Sequence, residues 1–280
     1  MTMTEGDFQD LLGEATIYEP ANECIYCGNQ TLPLSNEHTL PDGLGGRHVL
    51  PRASCPPCQA KINEFEQYCM RTLFANIRAS LGLQSTKKRK RLRPPSSVMV
   101  KRKTGAKERV ILGENKIPLL FALPAFPAPF FLTGEEPSET FLGGWWTYNP
   151  NSIGSVLDDL GAETVFTETI KPWMLARLIA KIAHSHCWAL WGSAFEPLLV
   201  PIILGEDENF IKYIGGWVKD LPPTPNFTHT IRIMNWRAAP GVTDSYLIAE
   251  IRLFSVYAAP VYYAVVGRTL KPWPFESRRQ

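Results

Sequence analysis

The sequence holds no run of 18 consecutive apolar residues. Its longest apolar segment, 117–131, is 15 residues long and carries four prolines, which excludes an ordinary membrane-spanning helix. The first residues, MTMTEGDFQDLL, are acidic and lack a basic segment followed by an apolar one. No secretory signal is read there, and a cytoplasmic location without membrane association is the expectation. Internal repeats are absent, and no Lys-Ser/Thr pair follows the glycines as in a phosphate-cradling loop. Charge of one sign is also scarce, with a net charge of only +2. What is present is a folding chain: 280 residues with 45% hydrophobic and 20% charged excludes disorder throughout. That length allows one large domain or two small ones.

The small net charge conceals an asymmetry. Residues 1–109 carry 16 Lys and Arg against 11 Asp and Glu, while 85–109 alone hold 11 basic residues and one acid, Glu108. Such a concentration suits a polyanionic partner. Four of the six cysteines form two CxxC pairs, Cys24/Cys27 and Cys55/Cys58. In a cytosolic chain that spacing favours metal thiolates over disulfides. Cys69 and Cys187 read as buried thiols.

The pattern predicts a short amphipathic helix over 1–20, with Phe8, Leu11 and Leu12 on its apolar side. It predicts a knuckle and hairpin over 22–36 turning at Gly28-Asn29, and a Pro/Gly-rich loop over 39–54. A helix capped by Ser54 should run to a stop at Gly82. In the basic stretch SSVMV is a candidate strand. A second, buried helix is predicted from Pro172 to Gly192, followed by strands at HTIRIMNWR, SYLIAEIRLFSVYA and VYYAVVGR. His184 and His186 lie two apart and read as core or interface histidines. The trial division is 1–83, a basic segment 84–109, and a mixed α/β C-terminal region 110–280.

Four cysteines in two knuckles suit one tetrahedral, coordinatively closed Zn²⁺ of structural role. The 27 residues between the pairs contain Glu37-His38, then Pro41, Leu44, Gly45 and Gly46, and the second CxxC opens a helix. This order of CxxC, carboxylate-His, xxP, LGG, CxxC and helix resembles the HNH endonucleases, the ββα-metal or His-Me finger nucleases, in their zinc-stapled form. The resemblance covers about residues 22–83. It implies an α+β protein with an N-terminal ββα-metal module, and it implies metal-dependent hydrolysis of DNA, with RNA a lesser expectation. His38 would be the general base and Glu37 a ligand of a catalytic Mg²⁺ or Mn²⁺. An imidazole titrating near 6.5 can take a proton from water near neutral pH, and a hard cation prefers oxygen ligands.

The usual His or Asn after the last Cys is replaced by Gln59. Gln59, Asn63 and Glu66, at i, i+4 and i+7, share one face of the predicted helix and supply substitutes. A carboxylate serves Mg²⁺ better than an amide, so Glu37 and Glu66 form the expected pair, assisted by Gln59 or Asn63. The plainer alternatives are a satisfied loop histidine at His38 and a surface acid at Glu66. Phosphate contacts are expected from Arg47, His48, Arg52, Arg71 and Arg78, and from Lys87, Lys88, Arg89, Lys90, Arg91 and Arg93. The basic run lacks aromatics, so base stacking is not indicated there.

One such module cuts one strand, so double-strand cleavage would need a homodimer or successive nicks. A free-standing nuclease of this class fits restriction, anti-phage defence or a mobile element. Two other readings stand beside it. One is a zinc-knuckle protein that binds nucleic acid without cutting. The other is a nuclease effector switched by a protein partner or trigger through 110–280.

Overall fold

A computed structural model of the chain describes residues 2–4, 8–10, 12–83, 97–111, 121–135, 144–148, 157–166, 171–216, 222–224, 226, 228–238 and 244–270. The fold is mixed α+β. Strands β1 (Thr2–Thr4), β2 (Phe8–Asp10) and β3 (Thr16–Ile17) come first. Strands β4 (Ser35–His38) and β5 (His48–Ser54) lead into helix α1 (Pro56–Tyr68), a π turn over Cys69–Leu73, and α2 (Ala75–Ser80). Then come β6 (Ser97–Arg102), β7 (Lys107–Ile111), β8 (Phe121–Ala125), the single turn α3 (Phe130–Thr133), β9 (Gly144–Tyr148) and β10 (Ala162–Phe166). The long helix α4 (Pro172–Trp191) is followed by β11 (Phe195–Pro197), α5 (Val200–Leu204) and β12 (Ile214–Gly215). The strands β13 (His229–Arg237), β14 (Tyr246–Leu253) and β15 (Val261–Thr269) close the described chain.

The largest sheet runs β1-β13-β14-β15-β11, with β2 also on β13 and β12 on β15. A second sheet, β3-β5-β4, carries the knuckle region, β10-β6-β7 forms a third, and β8 pairs with β9. Helix α4 is buried along almost its whole length, as a helix apolar on all sides must be. One flank packs on β14 and β15 and the other on α1. One hydrophobic cluster therefore joins Leu40, Leu50, Phe65 and Phe74 to Leu178, Ile182, Ile251 and Tyr262. The core is continuous between residues of the 1–83 segment and those of 110–280.

The helix predicted over 1–20 is not formed. Thr2–Thr4 and Phe8–Asp10 are strands, paired antiparallel with β13 at Asn235–Arg237 and Thr230–Arg232. The open edge of β13 offers a row of backbone donors and acceptors that outweighs a short, weakly amphipathic helix pattern. The hairpin also falls elsewhere. Residues 48–54, predicted as loop, form β5, which pairs with β4 in the register Glu37–Leu50 and His38–Val49. The segment before β4 is only a knuckle, closed by Gly28 N–H donating to Cys24 O at 2.7 Å.

The second predicted helix does form, but Cys55 rather than Ser54 is its N-cap, with prolines in the first turn. It is interrupted where Phe74 N–H reaches back five residues to Cys69 O at 2.7 Å. Such a π turn inserts one residue and rotates the succeeding turns of helix by about 100°. Arg71 and Arg78, which at seven residues apart would share a face of an unbroken helix, therefore do not extend a common face. Helix α4 and strands β6 and β13–β15 fall where the sequence predicts them.

Candidate metal centre and the ion cluster beside it

The first knuckle delivers Cys24 and Cys27 from a tight turn, and the end of β5 delivers Cys55 and the first turn of α1 Cys58. Their Sγ atoms all lie within 4.8 Å of one another, close enough to hold one metal ion such as zinc. A tetrahedral Zn–S site with bonds near 2.3 Å places sulfurs about 3.8 Å apart. The Cys27–Cys55 separation of 3.6 Å fits that geometry. Burial pushes the Cys24 and Cys58 thiols up. Cys55 is lowered against the opposing effect of burial, by hydrogen bonds from the Cys58 backbone and from neighbouring cysteines. Among the described residues this is the one cluster of three or more His, Cys, Asp or Glu with metal-binding spacing.

Beside it lies a buried ion cluster. Glu37 on β4 points inward, and its Oε1 is 2.6 Å from Lys181 Nζ on α4. Glu66 on α1 reaches the same ammonium at 3.1 Å. Lys181 also donates to the backbone oxygen of His38. The three N–H bonds of the ammonium thus match three oxygens. Tyr26, between the first two cysteines, buries its hydroxyl beside Glu37 without a well-formed hydrogen bond. Burial pushes Tyr26 well up, with the Glu37 and Glu66 charges adding to it. Burial also raises Glu37, against the opposing pull of Lys181. For Lys181 burial acts downward, but the two carboxylates outweigh it and hold the ammonium protonated.

His38, half-buried at the end of β4, leaves its Nδ1 buried without a hydrogen-bond partner. Adjacent strand residues face opposite ways. Glu37 faces α4, and the His38 ring lies on the other side of the strand. Gln59 is half-buried and Asn63 exposed on α1, and only Glu66 of that trio joins the cluster. The loop that turns the strand is held by the glycines. Gly45 has φ +86°, and a Cβ on Gly46 would stand 2.0 Å from Leu40 O.

The expected phosphate contacts separate into groups. Arg47 and Arg52 are exposed, Arg52 in the left-handed region at φ +51°. His48 is buried, with Nδ1 3.0 Å from Tyr18 Oη. Arg71 is exposed, whereas Arg78 folds inward, donating to Gly43 O and, at 2.8 Å, to Met70 O. Lys87, Lys88, Arg89, Lys90, Arg91 and Arg93 lie outside the described residues. His184 and His186 are both core, as the sequence predicts. His184 Nε2 lies 2.8 Å from Ile25 O, and His186 packs 6.2 Å from the His48 ring.

Lys181 escaped the sequence reading. The signal was there: a lysine in the middle of a largely apolar helix must find buried partners. Nothing in the sequence says which carboxylates they are. Comparison with protein-family models, curated proteins and solved structures finds no match for this chain. Among the described residues, no helix is long and apolar enough to cross a membrane.

Proposed function

We propose that the chain is a nucleic-acid phosphodiester hydrolase of the zinc-stapled HNH type, acting on DNA ahead of RNA. The Cys24–Cys27–Cys55–Cys58 cluster is its structural Zn²⁺ site, and His38 accepts the proton of the attacking water. One observation carries this reading. The consecutive β4, β5 and α1 form a hairpin and helix stapled by the cysteine cluster, and the half-buried His38 ends the first strand. The backbone of a bound strand is held by exposed Arg47, just before β5, by exposed Arg52 on β5, and by the basic segment 87–103. Double-strand cleavage would require two copies of the chain or two successive nicks.

As folded, Glu37 and Glu66 do not fit Mg²⁺ or Mn²⁺. A protonated lysine already stands between them, and a second cation there meets its repulsion. No step of hydrolysis is therefore assigned to a metal at this pair. The same observation favours a second reading, a nuclease effector whose site is switched through residues 110–280, since Lys181 comes from that part. Restriction, anti-phage defence and mobile-element roles all accommodate such an effector.

The test is plasmid cleavage by purified protein with EDTA, Mg²⁺, Mn²⁺ or Ni²⁺, beside His38→Ala, with zinc content measured on the same samples. Metal-dependent nicking lost in His38→Ala, with about one zinc per chain, supports the hydrolase. Zinc and salt-sensitive DNA binding without cleavage under any metal would replace it with a binding module.

A further inference from the structure

Three oxygens from two elements converge on one point: Glu37 Oε1 and His38 O from β4, and Glu66 Oε1 from α1. Oxygen-only donors of this kind, two of them carboxylates, are the ligand set of a hard divalent cation such as Mg²⁺ or Mn²⁺. What stands there is the ammonium of Lys181, whose side chain is 1% exposed. The buried Tyr26 hydroxyl, without a well-formed hydrogen bond, adds a further oxygen beside Glu37. Helix α4 is held over the site on both sides of Lys181. His184 Nε2 lies 2.8 Å from Ile25 O, and Lys171 N–H donates to Tyr68 Oη at 2.8 Å.

We infer that Lys181 is an internal cation occupying a divalent-cation position between Glu37 and Glu66, so that α4 closes this site and only loss of the ammonium opens it to metal. For the meaning of the site, the inference rests on the hydrolase reading. Its test does not. Glu37 is buried and cannot remain ionised without a counter-charge, and the part-buried Glu66 stands beside it. Removing the ammonium while keeping the apolar stem, as Lys181→Met does, leaves a two-carboxylate vacancy for which a hard cation competes with protonation of Glu37. Lys181→Gln supplies the same vacancy with a polar end that still donates hydrogen bonds.

The experiment is a Mn²⁺ titration followed by electron paramagnetic resonance on the full chain. Retained zinc and a cooperative melt serve as the measure of folding. Wild type is expected to bind no Mn²⁺ that depends on Glu37. Lys181→Met, or Lys181→Gln if the first fails to fold even with Mn²⁺ present, gains about one equivalent. It also melts higher with Mn²⁺, and both gains are lost when Glu37→Gln is added. Glu37-dependent Mn²⁺ binding by wild type overturns the inference, as does a folded Lys181 variant that gains none. Mn²⁺ uptake by the variant without cleavage under any condition would retain the inference and remove the hydrolase. Metal-dependent cleavage by wild type, lost in His38→Ala, together with no gain in the variant, would do the reverse.

Discussion

His184 Nε2 on α4 lies 2.8 Å from the carbonyl oxygen of Ile25, the residue following the first cysteine of the metal cluster. The Tyr26 ring packs against the same imidazole at 5.5 Å. The cysteine knuckle is thus a wall of the main core, and α4 reads its position directly.

That contact would make a metal held by the four cysteines a stabiliser of the whole protein. Cys58→Ser, or zinc extraction with a strong chelator, should lower the melting temperature by at least about 10 °C in a single transition that includes the C-terminal sheet. Calorimetry beside zinc analysis checks this. A C-terminal transition left in place after zinc loss would contradict the continuous core.

Lys181→Ala strands the buried Glu37 carboxylate and leaves the part-buried Glu66 beside it. Urea denaturation should show a loss of about 3–5 kcal/mol. Part of it should return when Glu37→Gln removes one stranded charge. A loss below about 1 kcal/mol would mean that the ion cluster is not formed in solution.

His38→Ala should be nearly silent for folding. Lys181 uses the backbone oxygen of residue 38, which any residue provides, and Nδ1 has no partner to lose. Stability within about 1 kcal/mol of wild type, with zinc content unchanged, is expected, and any cleavage that wild type shows should disappear. Retained cleavage would take the base role away from His38.

At Gly46 a methyl group would collide with Leu40 O, a backbone atom that cannot rotate aside. Gly46→Ala should cost more than about 3 kcal/mol and yield little folded protein. Gly28→Ala, whose Cβ meets nothing within 4 Å, should cost only the strain of its positive φ.

Three histidines are buried neutral. Burial pushes His184 down to about 4 and His186 and His229 down to about 3. Their unfolded values lie near 6.5, so the unfolded chain binds protons first as pH falls. The stability they contribute is complete above pH 6.5 and is lost progressively from there toward pH 3–4, at about 1.4 kcal/mol per pH unit for each. His229 Nδ1 accepts the Phe254 N–H at 3.3 Å, a role an amide oxygen can take. His229→Asn should therefore flatten the decline between pH 6 and 4 by about that one increment, measured by denaturant titration. An unchanged slope would place His229 outside the acid response.

Some of this was legible from residues alone. Two CxxC pairs point to a cluster able to hold a metal, because thiolates at that spacing can close around one ion wherever the intervening chain goes. The apolar run from Pro172 to Trp191 and the β-branched segments near the C-terminus declare their elements because local periodicity and burial agree. The strand at His48–Ser54 and the strands at Thr2–Thr4 and Phe8–Asp10 were hidden. The first sits in a Pro/Gly-rich stretch and is defined by pairing with the neighbouring β4, whereas the other two take their hydrogen bonds from the distant edge of β13.

Glu37, His38 and Glu66 could be named from their order and spacing, but their surroundings could not. The chain by itself determined that two carboxylates and a histidine would stand near a cysteine knuckle. Only the tertiary structure decided that a lysine 143 positions from His38 in sequence would lie between those carboxylates. The reason is physical: covalent spacing sets which residues a hairpin and its following helix present. The counter-charge of a buried pair is set by whichever distant element packs there, and no local pattern encodes that choice.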